Sequence, residues 1–247
     1  LLRGATRLRR SLVPSLLAAR RINEKLANPQ IELYEIAKVY LANGADLPTE
    51  KKVVAVTSGG DFFHVKGALE SVLDGLNLAL PLQVTPVDDP LFAAGRCGRL
   101  RLGQDLLGFL GEVGLAGRKG FGLREPTTVA EIDLSVLGGH ANLVPLHQPL
   151  SAYPTVERDF NFEVTESVSW SALAETVRQN AGPDLEEVRY LETYRDPQRL
   201  GADRKSLVLR VVLRKFDGTL TGEEADAIRD AIVAACQAAH GAELRAS

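Results

Sequence analysis

The strictest pattern in the sequence lies in residues 206–216. Hydrophobic residues there alternate with a second set: Leu207, Leu209, Val211 and Leu213 on one side, and Ser206, Val208, Arg210, Val212 and Arg214 on the other. A period of two turns successive side chains to opposite sides of a β-strand, and an all-apolar side is typical of a buried sheet face. The sequence therefore predicts a sheet with one buried face and a second face that carries Arg210 and Arg214.

The elements around this strand follow a recognisable order. The patterns predict a strand at 158–165, a helix from Ser169 to Gly182, strands at 185–194 and 206–216, a helix from Thr221 to Gly241 and an edge strand at 242–245. Ser169 is a typical helix cap, and Thr221 with Glu224 three residues later forms a capping box. This order is the ferredoxin-like βαββαβ arrangement. In it, both helices cover one face of the sheet and leave the other face open.

The preceding part of the chain is less regular. It predicts helices at about 6–26 and 63–76, and strands at 31–40, 53–58, 82–87, 98–102, 106–111 and 129–134. The first helix would turn Leu8, Leu12 and Leu16 to one side, with Pro14 near its start or at a kink. Many strands with few long helices favour an antiparallel sheet with helices packed on it, so the fold class is α+β.

A cluster of prolines marks the boundary between these two parts. Pro145, Pro149 and Pro154 lie close together and favour an extended connector over regular structure. We therefore predict two domains, 1–146 and 147–247. The chain begins at Leu1 and contains no methionine, and we expect it to be a piece of a longer protein.

Composition and charge exclude several kinds of site. A net charge of −3 argues against a protein that holds nucleic acid mainly through a bulk electrostatic field, so any RNA contact must be local. Cys97 and Cys236 are too few for a metal site, and the four histidines show no ligand spacing. No apolar run is long enough to span a membrane. We therefore expect no metal site and no membrane contact.

Several stretches together resemble the beta subunit of bacterial phenylalanyl-tRNA synthetase. Similar motifs occur in the same order at residues 8–17 (LRRSLVPSLL), 33–40 (LYEIAKVY), 61–67 (DFFHVKG), 148–154 (QPLSAYP) with Arg158-Asp159, 205–207 (KSL) and 219–224 (TLTGEE). Each motif is weak alone, but their shared order covers nearly the whole chain.

The resemblance implies a fold and a role. Residues up to about 146 would form a catalytic-like module of a class II synthetase, and the rest a ferredoxin-fold anticodon-binding domain. An active class II site needs an arginine after one strand and a Gly-x-Gly-x-Glu-Arg motif after another. Here Tyr40 is followed by Leu41-Ala42-Asn43, and Gly114 by Leu115-Ala116. We therefore expect no catalytic residues in this chain.

The same resemblance implies partners and cofactors. The partners would be the catalytic alpha subunit, in a heterotetramer, and phenylalanine-specific tRNA, with no DNA. We expect no cofactor bound by this fragment, while the holoenzyme would use ATP and magnesium. The expected location is the cytoplasm.

Candidate tRNA-binding residues are basic and aromatic side chains of the second domain. Basic groups meet phosphates, and flat groups stack on unpaired bases. The candidates are Tyr153, Arg158, Tyr194, Arg195, Arg204, Lys205, Arg210 and Arg214. The opposing interpretation is that the strand arginines are solvated or pair with Glu163 and Glu192. Likewise, we interpret the arginines of the first helix as its solvated face in preference to a contact with RNA.

Two other functions remain open from the sequence. Ferredoxin-like domains with one open sheet face also bind metabolites or self-associate, so a regulatory or small-molecule-binding module is the alternative. A free-standing enzyme is the least favoured, because no nucleophile, base and orienting group converge in the sequence.

Overall fold

The computed structural model of the protein describes residues 7–44, 46–144 and 151–245. The chain forms two compact units, Leu1–Leu146 and His147–Ser247. Most of the predicted proline-rich connector, including Pro145 and Pro149, lies outside the described residues. In the part of the chain that is described, no helix is long and apolar enough to cross a membrane.

The first unit is a six-stranded antiparallel sheet with four helices. Its elements are α1 (Val13–Lys25), β1 (Leu33–Leu41), β2 (Thr49–Ser58), α2 (Phe62–Gly75), β3 (Leu82–Pro86), β4 (Phe92–Leu102), β5 (Asp105–Val113), α3 (Leu115–Phe121), β6 (Thr128–Asp133) and α4 (Leu134–His140). The strand order is β1-β2-β6-β5-β4-β3, and every neighbouring pair is antiparallel. The predicted antiparallel sheet with packed helices is confirmed, whereas the short helices α3 and α4 had not been predicted.

Helices lie on both faces of this sheet. On one face, Leu12 and Leu16 pack against Val39, Val53 and Ala55. On the other, the α2 residues Val65, Leu69 and Leu73 pack among inward residues of β4, β5 and β6. The buried stripe of α2 therefore consists of Val65, Leu69 and Leu73, whereas Val72 is 48% exposed.

Helix α1 is shorter than predicted. It begins at Val13, with Pro14 in its first turn, and residues 7–12 are not helical. Leu8 is exposed, so the predicted Leu8–Leu12–Leu16 stripe is wrong at its first position. The chain is held before the helix by Glu131 of β6, whose carboxylate accepts hydrogen bonds from the Ser11 hydroxyl (2.9 Å) and the Leu12 amide (2.6 Å). A proline suits the first turn because its missing N–H would be unpaired there anyway.

Arg20 corrects the interpretation of α1 as a helix with a solvated basic face. Its side chain is 3% exposed and lies 3.5 Å from the equally buried Glu24. The guanidinium also donates to the carbonyls of Ile31 (2.7 Å) and Pro126 (3.3 Å). Burial lowers the pKa of Arg20, and the nearby carboxylates of Glu24, Glu32 and Glu125 oppose that shift. This arginine is therefore part of the packed interior of the first unit.

The second unit has the predicted order of elements. These are β7 (Val156–Thr165), α5 (Trp170–Asn180), β8 (Leu185–Tyr194), β9 (Arg204–Leu213), α6 (Gly222–His240) and β10 (Glu243–Leu244), with strand order β10-β7-β9-β8. Strand β9 begins and ends earlier than predicted, so Arg204 and Lys205 belong to the strand and not to the preceding loop. The caps at Ser169 and Thr221 are as expected, and the capping box of Thr221 and Glu224 is complete.

Both helices of this unit cover the same sheet face. Phe160, Phe162 and Val164 of β7 and the apolar residues of β9 form one core with Leu173 and Val177 of α5. From α6 the core takes Ala225, Ile232 and Cys236, whereas Ala239 in the last turn is exposed. Burial raises the pKa of the Cys236 thiol to about 11. The opposite face of the sheet carries the candidate Arg210.

Candidate nucleic-acid interface

We call the sheet face of the second unit that lies opposite α5 and α6 the open face. Strand register assigns its residues, because Asp159 of β7 and Arg189 of β8 both pair with Arg210 of β9. At the neighbouring positions Phe160 and Tyr190 pair with Leu209, which is buried in the core on the helix side. The alternation predicted from sequence therefore holds across three strands.

The open face carries more acid than base. Within β7, β8 and β9 its charged residues are Glu157, Asp159, Glu163, Glu187 and Glu192 against Arg189, Arg204 and Arg210. An excess of carboxylates repels a phosphate backbone, so this face does not attract RNA by its summed charge. Any RNA contact here must depend on particular pairs of groups.

Arg210 occupies the centre of the open face, and all three nitrogens of its guanidinium donate hydrogen bonds to carboxylates. Its Nε and Nη2 donate to the two carboxylate oxygens of Asp159 at 2.6 and 2.8 Å. Nη1 donates to Glu157 at 2.7 Å. The bidentate bond from Arg210 lowers the pKa of Asp159 and raises that of the guanidinium. Such a planar fork is the stronger kind of ion pair, although it is partly exposed to solvent.

The neighbouring arginines are paired in the same way. Arg189 is 2.7 Å from Glu187 and 3.9 Å from Glu157, and its hydrogen bond lowers the pKa of Glu187. Arg214, directly after β9, lies 2.5 Å from Glu186. Arg189 was not among the candidates predicted from the sequence, and only the strand register shows that it lies beside Arg210. The signal available in the sequence was its position two residues after Glu187 in a predicted strand.

Four predicted candidates gather at one end of the sheet, where β7 and β8 end and β9 begins. Arg195 forms a bidentate bond with the two carboxylate oxygens of Glu166 (2.7 and 3.2 Å), and Arg204 lies 3.0 Å from Glu243 and 3.9 Å from Glu163. The Tyr194 hydroxyl donates to Asp196 at 2.8 Å. Lys205, the fourth, is buried on the helix side of β9, where its ammonium donates to the Glu166 carbonyl at 2.8 Å. The alternative predicted for the strand arginines is right that they form ion pairs but wrong about the partners: Arg210 pairs with Asp159 and Glu157, and Arg214 with Glu186, instead of with Glu163 and Glu192.

Two further candidates lie away from this cluster. Arg158 is on the helix side of β7, 3.3 Å from Asp226 of α6. Tyr153 precedes β7, at the opposite end of the sheet from Tyr194, which pairs with Ser206. The seven residue-to-residue steps of β9 from Ser206 to Leu213 span roughly 23 Å at the rise of a strand. The two tyrosines therefore cannot stack on the same base.

The first unit contains a cavity of about 450 Å³ on the α1 side of its sheet. Its lining is mainly apolar, with Phe92, Phe109 and Phe121 among the side chains and Arg99 and Asp89 as charged members. Among the described residues, no three His, Cys, Asp or Glu side chains are grouped so as to hold a metal ion. Helix α3 starts at Leu115, directly after Gly114, at the point where the class II motif would have placed its Glu-Arg pair.

Comparison with known proteins gives a consistent picture over both units. Residues 4–134 match the family model described as phenylalanyl tRNA synthetase beta chain CLM domain, and residues 151–245 match the ferredoxin-fold anticodon binding domain. The phenylalanine–tRNA ligase beta subunit of Rhodopirellula baltica is 38% identical over 248 residues, covering 96% of this chain and 36% of that protein. The corresponding subunit of Clostridium tetani is 28% identical, covering 96% of this chain and 30% of that protein.

The chain spans about a third of the length of the curated relatives that it matches. A solved pyrrolysyl-tRNA synthetase from Desulfitobacterium hafniense is 17% identical and covers 58% of this chain and 54% of that chain, with a TM-score of 0.44. A likeness at that score supports no conclusion about fold.

Proposed function

The chain belongs to the phenylalanyl-tRNA synthetase beta-chain family, and from this premise we propose that it contributes tRNA binding and subunit assembly to phenylalanine–tRNA ligase. The whole enzyme would attach phenylalanine to its tRNA with ATP and magnesium. Its chemistry would take place on a partner alpha subunit in a heterotetramer in the cytoplasm. The observation that carries the proposal is the match of both units, in order, to the two family domains.

We assign the first unit, 1–146, to a class II synthetase-like module without an active site. Its six-stranded antiparallel sheet with helices on both faces is compatible with such a module. The positions after Tyr40 and Gly114 carry no arginine for an ATP phosphate and no Glu-Arg pair. This unit would therefore support the partner subunit and would not bind the reacting groups itself.

We assign the second unit, 147–247, to tRNA binding through its open face. Arg189, Arg210 and Arg214 supply guanidiniums that can bond to RNA, and Tyr194 supplies a flat ring at one end. Arg195 and Arg204 extend this basic set along the edge beside Tyr194. Arg158 and Lys205 face the helix side, so their contribution would be to hold the unit in shape.

The test uses the full-length beta subunit assembled with its alpha subunit. Arg210→Ala combined with Arg214→Ala should raise the KM for the phenylalanine-accepting tRNA about tenfold, because two charge-assisted bonds are lost. The rate of ATP–pyrophosphate exchange with phenylalanine should stay unchanged, because that step does not need tRNA. The 247-residue chain alone should show no exchange.

A matched control is available in the helices of the same unit. Arg178→Ala with Arg229→Ala removes two arginines that are also ion-paired, with Glu175 and with Asp230, and are somewhat more exposed than Arg210 and Arg214. This variant should leave the KM for tRNA within twofold of the parent value. An unchanged KM in the Arg210/Arg214 variant would refute binding through the open face and favour the regulatory or small-molecule-binding alternative.

A further inference from the structure

The carboxylates of the open face have no role in the function proposed above, and their arrangement is not that of a merely solvated surface. Glu157 and Asp159 project from alternate positions of β7 and close on one guanidinium, that of Arg210. Glu157 also lies 3.9 Å from Arg189. Two acids and two arginines of three strands thus form one cluster at the centre of the face.

We propose that Glu157 and Asp159 determine the specificity of this face by keeping Arg210 from generic phosphates and by accepting hydrogen bonds from unpaired bases. This inference rests on the proposed tRNA contact. Its substrate class is single-stranded RNA with exposed amino or imino groups on its bases. Phosphate-rich duplex RNA is the class it discriminates against.

A phosphate that approaches Arg210 would meet the carboxylates of Asp159 and Glu157. To bond to Arg210, a phosphate must displace a bidentate carboxylate and a second carboxylate that stay nearby as negative charges. Each such charge about 6 Å from the phosphate opposes binding with an energy near RT in water, which is a factor of about three in affinity. Together the two carboxylates disfavour a phosphate at this place by about tenfold.

A base edge meets a different balance. Amino groups of cytosine, adenine and guanine donate hydrogen bonds, and carboxylates are their natural acceptors. A base can therefore bond to Asp159 or Glu157 while its carbonyl or ring nitrogen accepts from the arginine that is released. Such a base replaces both sides of the ion pair, and the cluster loses no bond in the exchange.

Unpaired nucleotides are the RNA segments that offer such edges. In an A-form helix the base edges of the deep major groove are out of reach of side chains, whereas loop bases can be splayed out and read. Tyr194 lies at one end of the same face, about four strand positions along β9 from Arg210, and supplies a ring for a neighbouring base.

The test compares two charge-neutralising variants of the full-length beta subunit assembled with its alpha subunit. Glu157→Gln with Asp159→Asn frees Arg210. The matched control, Glu175→Gln with Asp230→Asn, removes the same charge from the acids that pair with Arg178 and Arg229 on the helices. Equilibrium binding of a phenylalanine-accepting tRNA transcript and of a fully paired RNA duplex of similar length is measured over a series of salt concentrations.

The expected result is that the open-face variant binds the RNA duplex about tenfold more tightly, with a salt dependence steeper by about one phosphate contact. Its affinity for the correct tRNA should rise less or fall, so the ratio of the two affinities shrinks. The helix variant should leave the ratio unchanged. An equal rise in RNA affinity in the open-face variant and the helix variant would mean a bulk charge effect and would overturn the inference. Unchanged RNA affinity in both variants would overturn it as well.

Two further measurements keep the outcomes separate. Asp159→Asn alone removes the bidentate partner of Arg210 and leaves Glu157 in place, so it gives a smaller shift in the same direction if the double variant fails to fold. The Arg210→Ala and Arg214→Ala variant tests the proposed function itself. If that variant weakens binding of the correct tRNA while the carboxylate variants change nothing, only the inference about specificity fails.

Discussion

The buried pair of Arg20 and Glu24 gives the sharpest prediction about stability. Both side chains are 3% exposed, and Arg20 joins α1 to the carbonyls of Ile31 and Pro126. Glu24 in turn accepts a hydrogen bond from the Arg124 amide at 2.8 Å. The pair therefore connects three segments that are distant in sequence, and we expect its loss to destabilise the first unit.

The size of the effect follows from what each substitution leaves behind. Arg20→Ala leaves the Glu24 carboxylate without its ion-pair partner and two carbonyls without their donor, and breaking a buried pair in this way costs about 3–5 kcal/mol. A cavity of about 590 Å³ borders both side chains and lets water reach them, so we expect about 3 kcal/mol. Glu24→Ala should cost about 2 kcal/mol, since Arg20 keeps its carbonyl partners.

The double variant separates pairing from packing. Arg20→Ala with Glu24→Ala leaves no unpaired charge, so we expect a loss of about 3 kcal/mol, well below the sum of the single losses. Urea unfolding followed by far-UV circular dichroism measures these values. With a slope of about 2 kcal/mol/M, the midpoint of Arg20→Ala should fall by about 1.5 M. The only tryptophan, Trp170, lies in α5, so its fluorescence follows the second unit separately.

Arg21→Ala is the control, because Arg21 is the exposed neighbour of Arg20 on the same helix. It should change the free energy of unfolding by less than about 0.5 kcal/mol. Strict additivity of the two single variants, or a loss below about 1 kcal/mol for Arg20→Ala, would show that the pair behaves like a surface ion pair and would refute the reasoning.

Three more predictions concern single positions. Lys205→Met should lower the free energy of unfolding of the second unit by about 1.5 kcal/mol, because the hydrogen bond from its buried ammonium to the Glu166 carbonyl is lost. The same variant should leave the affinity for tRNA unchanged. Weaker tRNA binding at unchanged stability would instead show that Lys205 contacts the RNA. The hydrogen bond from Lys215, with those from Thr221, lowers the pKa of Glu224 to about 2. Because this folded-state pKa lies below the unfolded value of about 4.3, ionised Glu224 stabilises the fold above the unfolded pKa and loses that effect as the pH falls towards 2. In Glu224→Gln the stability of the second unit, followed by Trp170 fluorescence, should fall less between these two pH values than in the parent protein. An equal loss of stability in the two proteins would contradict the assignment. Gly108→Ala would put a Cβ 2.0 Å from the Glu131 carbonyl oxygen and should lower the free energy of unfolding, measured with denaturant, by at least about 2 kcal/mol. Gly138→Ala in α4 places its Cβ in open space and should leave the free energy of unfolding unchanged or raise it. Equal effects of the two substitutions would argue against the close approach at Gly108.

Much of the fold was predictable because its signals are local. The alternation in β9 and the caps at Ser169 and Thr221 depend on residues within a few positions of each other, and these fix strands, helix starts and the βαββαβ order. Helices α3 and α4 were missed because each has only seven residues, which is too short for a periodic stripe. Pro14 likewise fitted a helix start from sequence, but only the Glu131 contact shows why the chain before it is not helical.

The candidate interface was predictable only in part, because charge pairing is set by strand register and not by sequence distance. The alternation alone put Arg210 on the open face, and the family motifs directed attention to RNA. That Asp159 and Glu157, more than fifty residues away, would close on the same guanidinium became visible only when β7 lay beside β9. The same is true of Arg20, whose burial depends on Ile31 and Pro126. Sequence determined which elements form and which side of each is apolar, and tertiary structure decided which charges meet, because a one-residue change of register moves every side chain to the other face.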